Sequence, residues 1–84
     1  MEKMLIKFGF VTETIEKDRQ IWTREIISKS SGEKYFLSFC EFSYGSLFVL
    51  KHKKALISLR HFMLSDTIKE ISKYIKDTIK YFEK

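Results

Sequence analysis

The chain has 84 residues, 44% of them apolar, and its sixteen Lys and Arg against eleven Asp and Glu give a net charge of +5. A chain of this length makes one domain, residues 1–84, and buries only about 60 % of the surface its unfolded form exposes. The single cysteine, Cys40, excludes an intrachain disulfide and a multi-thiolate zinc site, and no apolar run approaches the roughly 20 residues that span a bilayer.

The amino-terminal segment Met1 to Lys7 lacks the apolar core of a signal peptide, so the expected location is the cytoplasm, nucleus or nucleoid rather than a secreted compartment. In that segment Met4, Ile6, Phe8 and Phe10 alternate with Leu5, Lys7, Gly9 and Val11, and the period of two predicts a first strand. It ends in the polar run Glu16-Lys17-Asp18-Arg19-Gln20. A second run, Ile21 to Lys29, is β-branched and aromatic, and Ser30-Ser31-Gly32-Glu33 has the turn chemistry of a hairpin into Lys34 to Phe42.

This third run is apolar on both faces, with Phe36, Cys40 and Phe42 on one side and Tyr35, Leu37 and Phe39 on the other. A sheet wetted on one side alternates apolar with polar, so both faces should meet something. One helix covers one face; the other is left for a ligand, a second chain or solvent. Ser43 to Ser46 turns the chain into Leu47 to Lys51, the basic corner His52-Lys53-Lys54 follows, and Ala55 to Arg60 is either a continuation past a bulge or a fifth strand.

From Leu64 the period changes. Leu64, Ile68, Ile71, Ile75, Ile79 and Phe82 form one stripe of a helix spanning 65–83, with Thr67 and Glu70 at capping-box spacing. Tyr74, Thr78 and Tyr81 widen the apolar arc to roughly 160°, where about 100° suffices for a monomer core. The extra width predicts a homodimer joined through Ile71, Tyr74, Ile75, Thr78, Tyr81 and Phe82. The expected architecture is α+β: a curved antiparallel sheet of four to five strands over residues 4–60, followed by one long carboxy-terminal helix.

Acid, base and nucleophile groups are sparse. Cys40 lies in an apolar strand, His52 and His61 stand among Lys53, Lys54 and Arg60 that repel a cation, and the three glycines form no phosphate-binding loop. The reading is a non-enzyme with no metal, cofactor, small-molecule substrate or membrane partner. What is present is positive charge beside rings: Phe42 to Ser65 is a stretch of 24 residues without a carboxylate, and ten of the thirteen aromatic side chains precede residue 63. Single-stranded nucleic acid requires a cationic track and aromatic faces for unpaired bases. Trp22 and Arg24 share one strand face about 7 Å apart, a spacing suited to one base and its phosphate. Lys17, Arg19, Lys34, Phe36, Lys51, Lys53 and Lys54 extend the candidate track.

Two segments resemble the positive cofactor four family of transcriptional coactivators and its bacterial and phage relatives. Lys34-Tyr35-Phe36-Leu37-Ser38-Phe39-Cys40-Glu41-Phe42 is similar to the family's third strand, and Lys54-Ala55-Leu56-Ile57-Ser58-Leu59 followed by Ile68-Lys69-Glu70-Ile71 is similar to its Lys-Gly-Ile-Ser-Leu strand and helix entry. Trp22-Thr23-Arg24-Glu25-Ile26 is similar to a Trp-Thr-Lys-Glu-Leu run of the bacterial branch. The resemblance implies a helix-joined dimer that binds single-stranded DNA, rather than RNA, with little sequence preference, in transcription, replication or repair, with phosphate contacts at Lys34 and Lys54. Two other readings stand beside it: a small adaptor or inhibitor that meets a protein through its aromatic sheet, and a ribbon-helix-helix-like repressor of duplex DNA built on Ala55 to Lys73.

Overall fold

The structure, a computed structural model, describes residues 1–16 and 19–83, the side chains of 13–16 and 19 excepted. A short helix α1 (Glu2–Lys7) leads into five strands, β1 (Val11–Glu16), β2 (Arg19–Ile27), β3 (Lys34–Phe42), β4 (Gly45–His52) and β5 (Ala55–Met63), and the helix α2 (Ile68–Phe82) follows. Every neighbouring pair of strands is antiparallel, and the spatial order β1-β2-β3-β4-β5 is the order of the chain. The α+β reading holds, with Ala55 opening a fifth strand that also carries a bulge where the register shifts between Phe48 and Val49.

Local chemistry explains each connection. Between β2 and β3 the amide of Ser28 donates to the carbonyl of Glu33 at 2.9 Å, and Gly32, at φ +72°, donates back to the carbonyl of Ser28 at 2.8 Å. Between β3 and β4, Gly45 is required by a close approach: a Cβ there would run into the backbone carbonyl oxygen of Phe62 on β5. The β4–β5 link is only Lys53-Lys54, and Lys53 takes a left-handed conformation at φ 57°. The start of α2 is capped by the predicted pair: the Thr67 hydroxyl accepts from the amide of Glu70 at 3.2 Å and donates to the Glu70 carboxylate at 3.3 Å.

The first element differs from expectation. Met4 to Lys7 is helix, because Met1, Met4, Leu5 and Phe8 also recur at helical spacing and this stripe packs on the core, with Leu5 fully buried. Ile6, which a strand would have turned inward, is exposed. Likewise Leu64 and Ser65 precede α2 instead of opening it, and Leu64 is exposed.

Register sorts the sheet into two faces. Trp22, Phe39 and Phe48 are aligned across β2, β3 and β4, and Arg24, Leu37 and Leu50 form the next row. Those rows carry the core, closed by Ile26, Phe62, Leu5, Phe10 and the helix residues Ile71 and Ile75. Rings dominate it: Phe39 and Phe48 lie 4.8 Å apart, and Tyr74 of α2 sits 5.1 Å from Phe48 and 5.7 Å from Phe62. Each buried Phe contributes about 1.5–3 kcal/mol by burial, so this layer carries much of the stability of a small domain.

Candidate nucleic-acid interface

Among the described residues no helix lies over the opposite face. Its rows run Ile21-Cys40-Leu47-His61, Thr23-Ser38-Val49-Ser58 and Glu25-Phe36-Lys51-Leu56 across β2, β3, β4 and β5. The division of β3 follows the alternation in its sequence, with Phe36, Cys40 and Phe42 on this side. Phe36 is 38% exposed, Leu56 and Lys51 are exposed, and Phe42 stacks on Tyr44 at 5.4 Å and 9°.

Towards the end of the face that carries the β4–β5 turn, Phe36 and Lys51 lie directly opposite each other on β3 and β4. With Val11, Thr12 and Thr23 they line a shallow depression at the β1 side of the sheet. The depression offers a ring, an aliphatic wall and an ammonium, with the Thr23 hydroxyl 3.5 Å from that of Ser38. Lys34, next on the same face of β3, lies 3.5 Å from Glu25. Glu25 is the one acid in these rows.

At the end of the sheet the basic turn is held by an acid from the neighbouring hairpin. One oxygen of Glu33 lies 2.8 Å from His52 Nε2 and the other 3.5 Å from Lys53 Nζ. Tyr35 stacks on the His52 imidazole at 4.4 Å and meets Phe82 at 5.1 Å, so the turn is fastened to the end of α2. Lys51 and Lys54 make no ion pair among the described residues, which leaves their charge available.

Other residues of the sequence-predicted track go elsewhere. Trp22 is 3% exposed, in the core under the helices, and presents no stacking surface; Arg24 lies on the same covered face with its NH2 3.4 Å from Glu83 Oε1. The two do share a strand face, but it is the one α2 occupies. Lys17 lies outside the described residues, as does the side chain of Arg19, whose backbone pairs with Glu16 and Phe42. Val11, Thr12 and Thr23 were missed. For Thr23 the period-two signal was present, since it shares a face with Glu25; for Val11 and Thr12 it depended on knowing that β1 begins after a helix.

The predicted dimer stripe is also redistributed. Ile71 and Ile75 are buried against the chain's own sheet, Tyr74 packs on Phe48 and Phe62, and Phe82 on Tyr35, while Thr78 is half-buried. Only Tyr81 of the six, at 74% exposure, projects freely.

Among the described residues no group of three or more His, Cys, Asp or Glu is arranged to hold a metal ion, and no helix is long and apolar enough to cross a membrane. Comparison of the chain with protein-family models, with curated proteins and with solved structures finds no match.

Proposed function

We propose that this chain is a non-enzymatic binding module for single-stranded nucleic acid, DNA in the first instance, and that the strand lies across the open face of the sheet. The observation that carries this reading is the in-register pair Phe36 and Lys51 on the uncovered face, two residues from the basic turn Lys53-Lys54. An unpaired base stacks on the Phe36 ring, a contact that contributes about 1–3 kcal/mol per base, while Lys51 neutralises a phosphate beside it and Lys34, 3.5 Å from Glu25, adds a weaker contact. Lys54, with Lys53 beside it, continues the positive charge past the end of β4. A ring face and ammonium groups read no base edge, so binding is sequence-tolerant. Duplex DNA hides its bases from such a surface.

A protein partner is the second reading, favoured by the exposed apolar side chains Val11, Ile27, Leu56 and Met63 on or beside the same face. Salt separates the two. Labelled single-stranded and duplex oligonucleotides titrated at about 50 and 200 mM salt should give tighter single-strand binding that weakens steeply with salt, whereas an apolar protein contact should change little. Single-strand affinity no better than that for duplex, or insensitive to salt, overturns the nucleic-acid reading.

A further inference from the structure

β5 is the last strand of the sheet, hydrogen-bonded to β4 on one side and to no other described strand on its second side. An open edge of this kind recruits further strands unless Lys, Pro, inward charges, a bulge or a covering segment prevent it; the bulge of β5 falls between Ser58 and Arg60 and leaves Ala55 to Ser58 in regular pairing. From Ala55 to Met63 there is no Lys, no Pro and no acid. The one guanidinium, on Arg60, is folded back 4.5 Å from the ring centre of its own Phe62 and 5.7 Å from that of Tyr74. The edge therefore lacks the charges that usually keep copies apart.

Its first half is apolar on both faces, while Ser58, Arg60 and His61 follow. Leu56, 66% exposed, lies on the open face and Ile57, 49% exposed, on the helix-bearing one, and the strip continues through Met63, Leu64 and Ile68, all more than half exposed. A strand laid alongside covers both faces at once, which a ligand on one face does not.

We infer that the occupant is a second copy of this chain, paired antiparallel through β5 to make one ten-stranded sheet. Charge supports a copy over an unrelated strand. The basic turn Lys53-Lys54 precedes β5 and Asp66, whose carboxylate accepts from the amide of Met63 at 2.7 Å, follows it, so antiparallel self-pairing centred on Leu59 sets each basic turn beside the partner's Asp66, twice by symmetry. A two-fold axis perpendicular to the sheet keeps both open faces on one side and both α2 helices on the other. This inference is independent of what the open face binds.

Sedimentation of the full chain from low to several hundred micromolar should show its mass rising from 10.1 kDa towards twice that value. The double substitution Leu56→Lys with Ile57→Lys, at exposed positions, should raise the dissociation constant at least about tenfold, while Tyr81→Lys on the helix leaves it unchanged. Far-ultraviolet dichroism and the emission of buried Trp22 report whether each variant is folded. If the double variant does not fold, Lys53→Glu with Lys54→Glu replaces it and should weaken the pair at low salt. A 10.1 kDa species at every concentration overturns the inference, as does a dimer indifferent to the β5 substitutions in folded protein, or one lost on Tyr81→Lys.

Discussion

Arg24 on β2 and Glu83 at the end of α2 meet at 3.4 Å, and this contact assigns Arg24 to holding the helix rather than to holding a ligand. The pair is partly exposed, 22% and 41% by side chain, so screening limits what it contributes. Arg24→Met should lower stability in chemical denaturation by at most about 1 kcal/mol. Oligonucleotide affinity of the folded variant should stay within experimental error; a large loss would return Arg24 to the binding track.

Phe36 and Trp22 should separate binding from folding. Phe36→Ala removes a partly exposed ring from the open face and should reduce single-strand affinity by about 5- to 150-fold, corresponding to the roughly 1–3 kcal/mol of one stacked base, with little change in the unfolding midpoint. Trp22→Ala empties the centre of the core and should cost about 3–5 kcal/mol, enough to leave a small domain largely unfolded at room temperature. Equal affinities for wild type and Phe36→Ala would move any ligand off this face.

How these two aromatics divide shows where the sequence was informative. Lys34 to Phe42 was legible to the residue as a strand, and its two apolar sets do divide between the helix-bearing face and the other face of the sheet. The Thr67–Glu70 cap was legible because it depends on neighbours three apart in the chain. Alternation, however, says which side chains share a face and not which face a helix will take. Trp22, Arg24 and Tyr35 form one set and Phe36, Thr23 and Lys51 the other, and only the packing of α2 decides between them. The same limit explains α1: over seven residues Met4 to Phe10 fits both periods, and burial of Leu5 selects the helix.

Charge on the open face should be read through salt. Each phosphate neutralised by a lysine contributes about 0.7 to the slope of log affinity against log salt for a single strand. Lys51→Ala with Lys54→Ala should therefore lower that slope by about 1.4. Lys53→Ala should lower it less, because Glu33 already lies 3.5 Å from its ammonium. If the three lysines proved equivalent, Glu33 would not be tethering the turn in solution. An unchanged slope in the double variant would show that phosphates run elsewhere.

Lys53 itself adopts φ 57° in a two-residue turn between β4 and β5, a conformation suited to Gly or Asn and costly for a side chain with a Cβ. Its ammonium is largely exposed and its contact with Glu33 is long, so little stability is lost when the side chain goes. Lys53→Gly should then raise stability by about 0.5–1 kcal/mol, net of the entropy glycine brings to the unfolded chain. For a domain of this size that is a rise in melting temperature of about 2–8 °C. Lys53→Asn should give a smaller gain of the same sign, since Asn tolerates the left-handed region while keeping a Cβ. A fall in melting temperature for both variants would mean that the Lys53 side chain stabilises the turn by more than its backbone conformation costs.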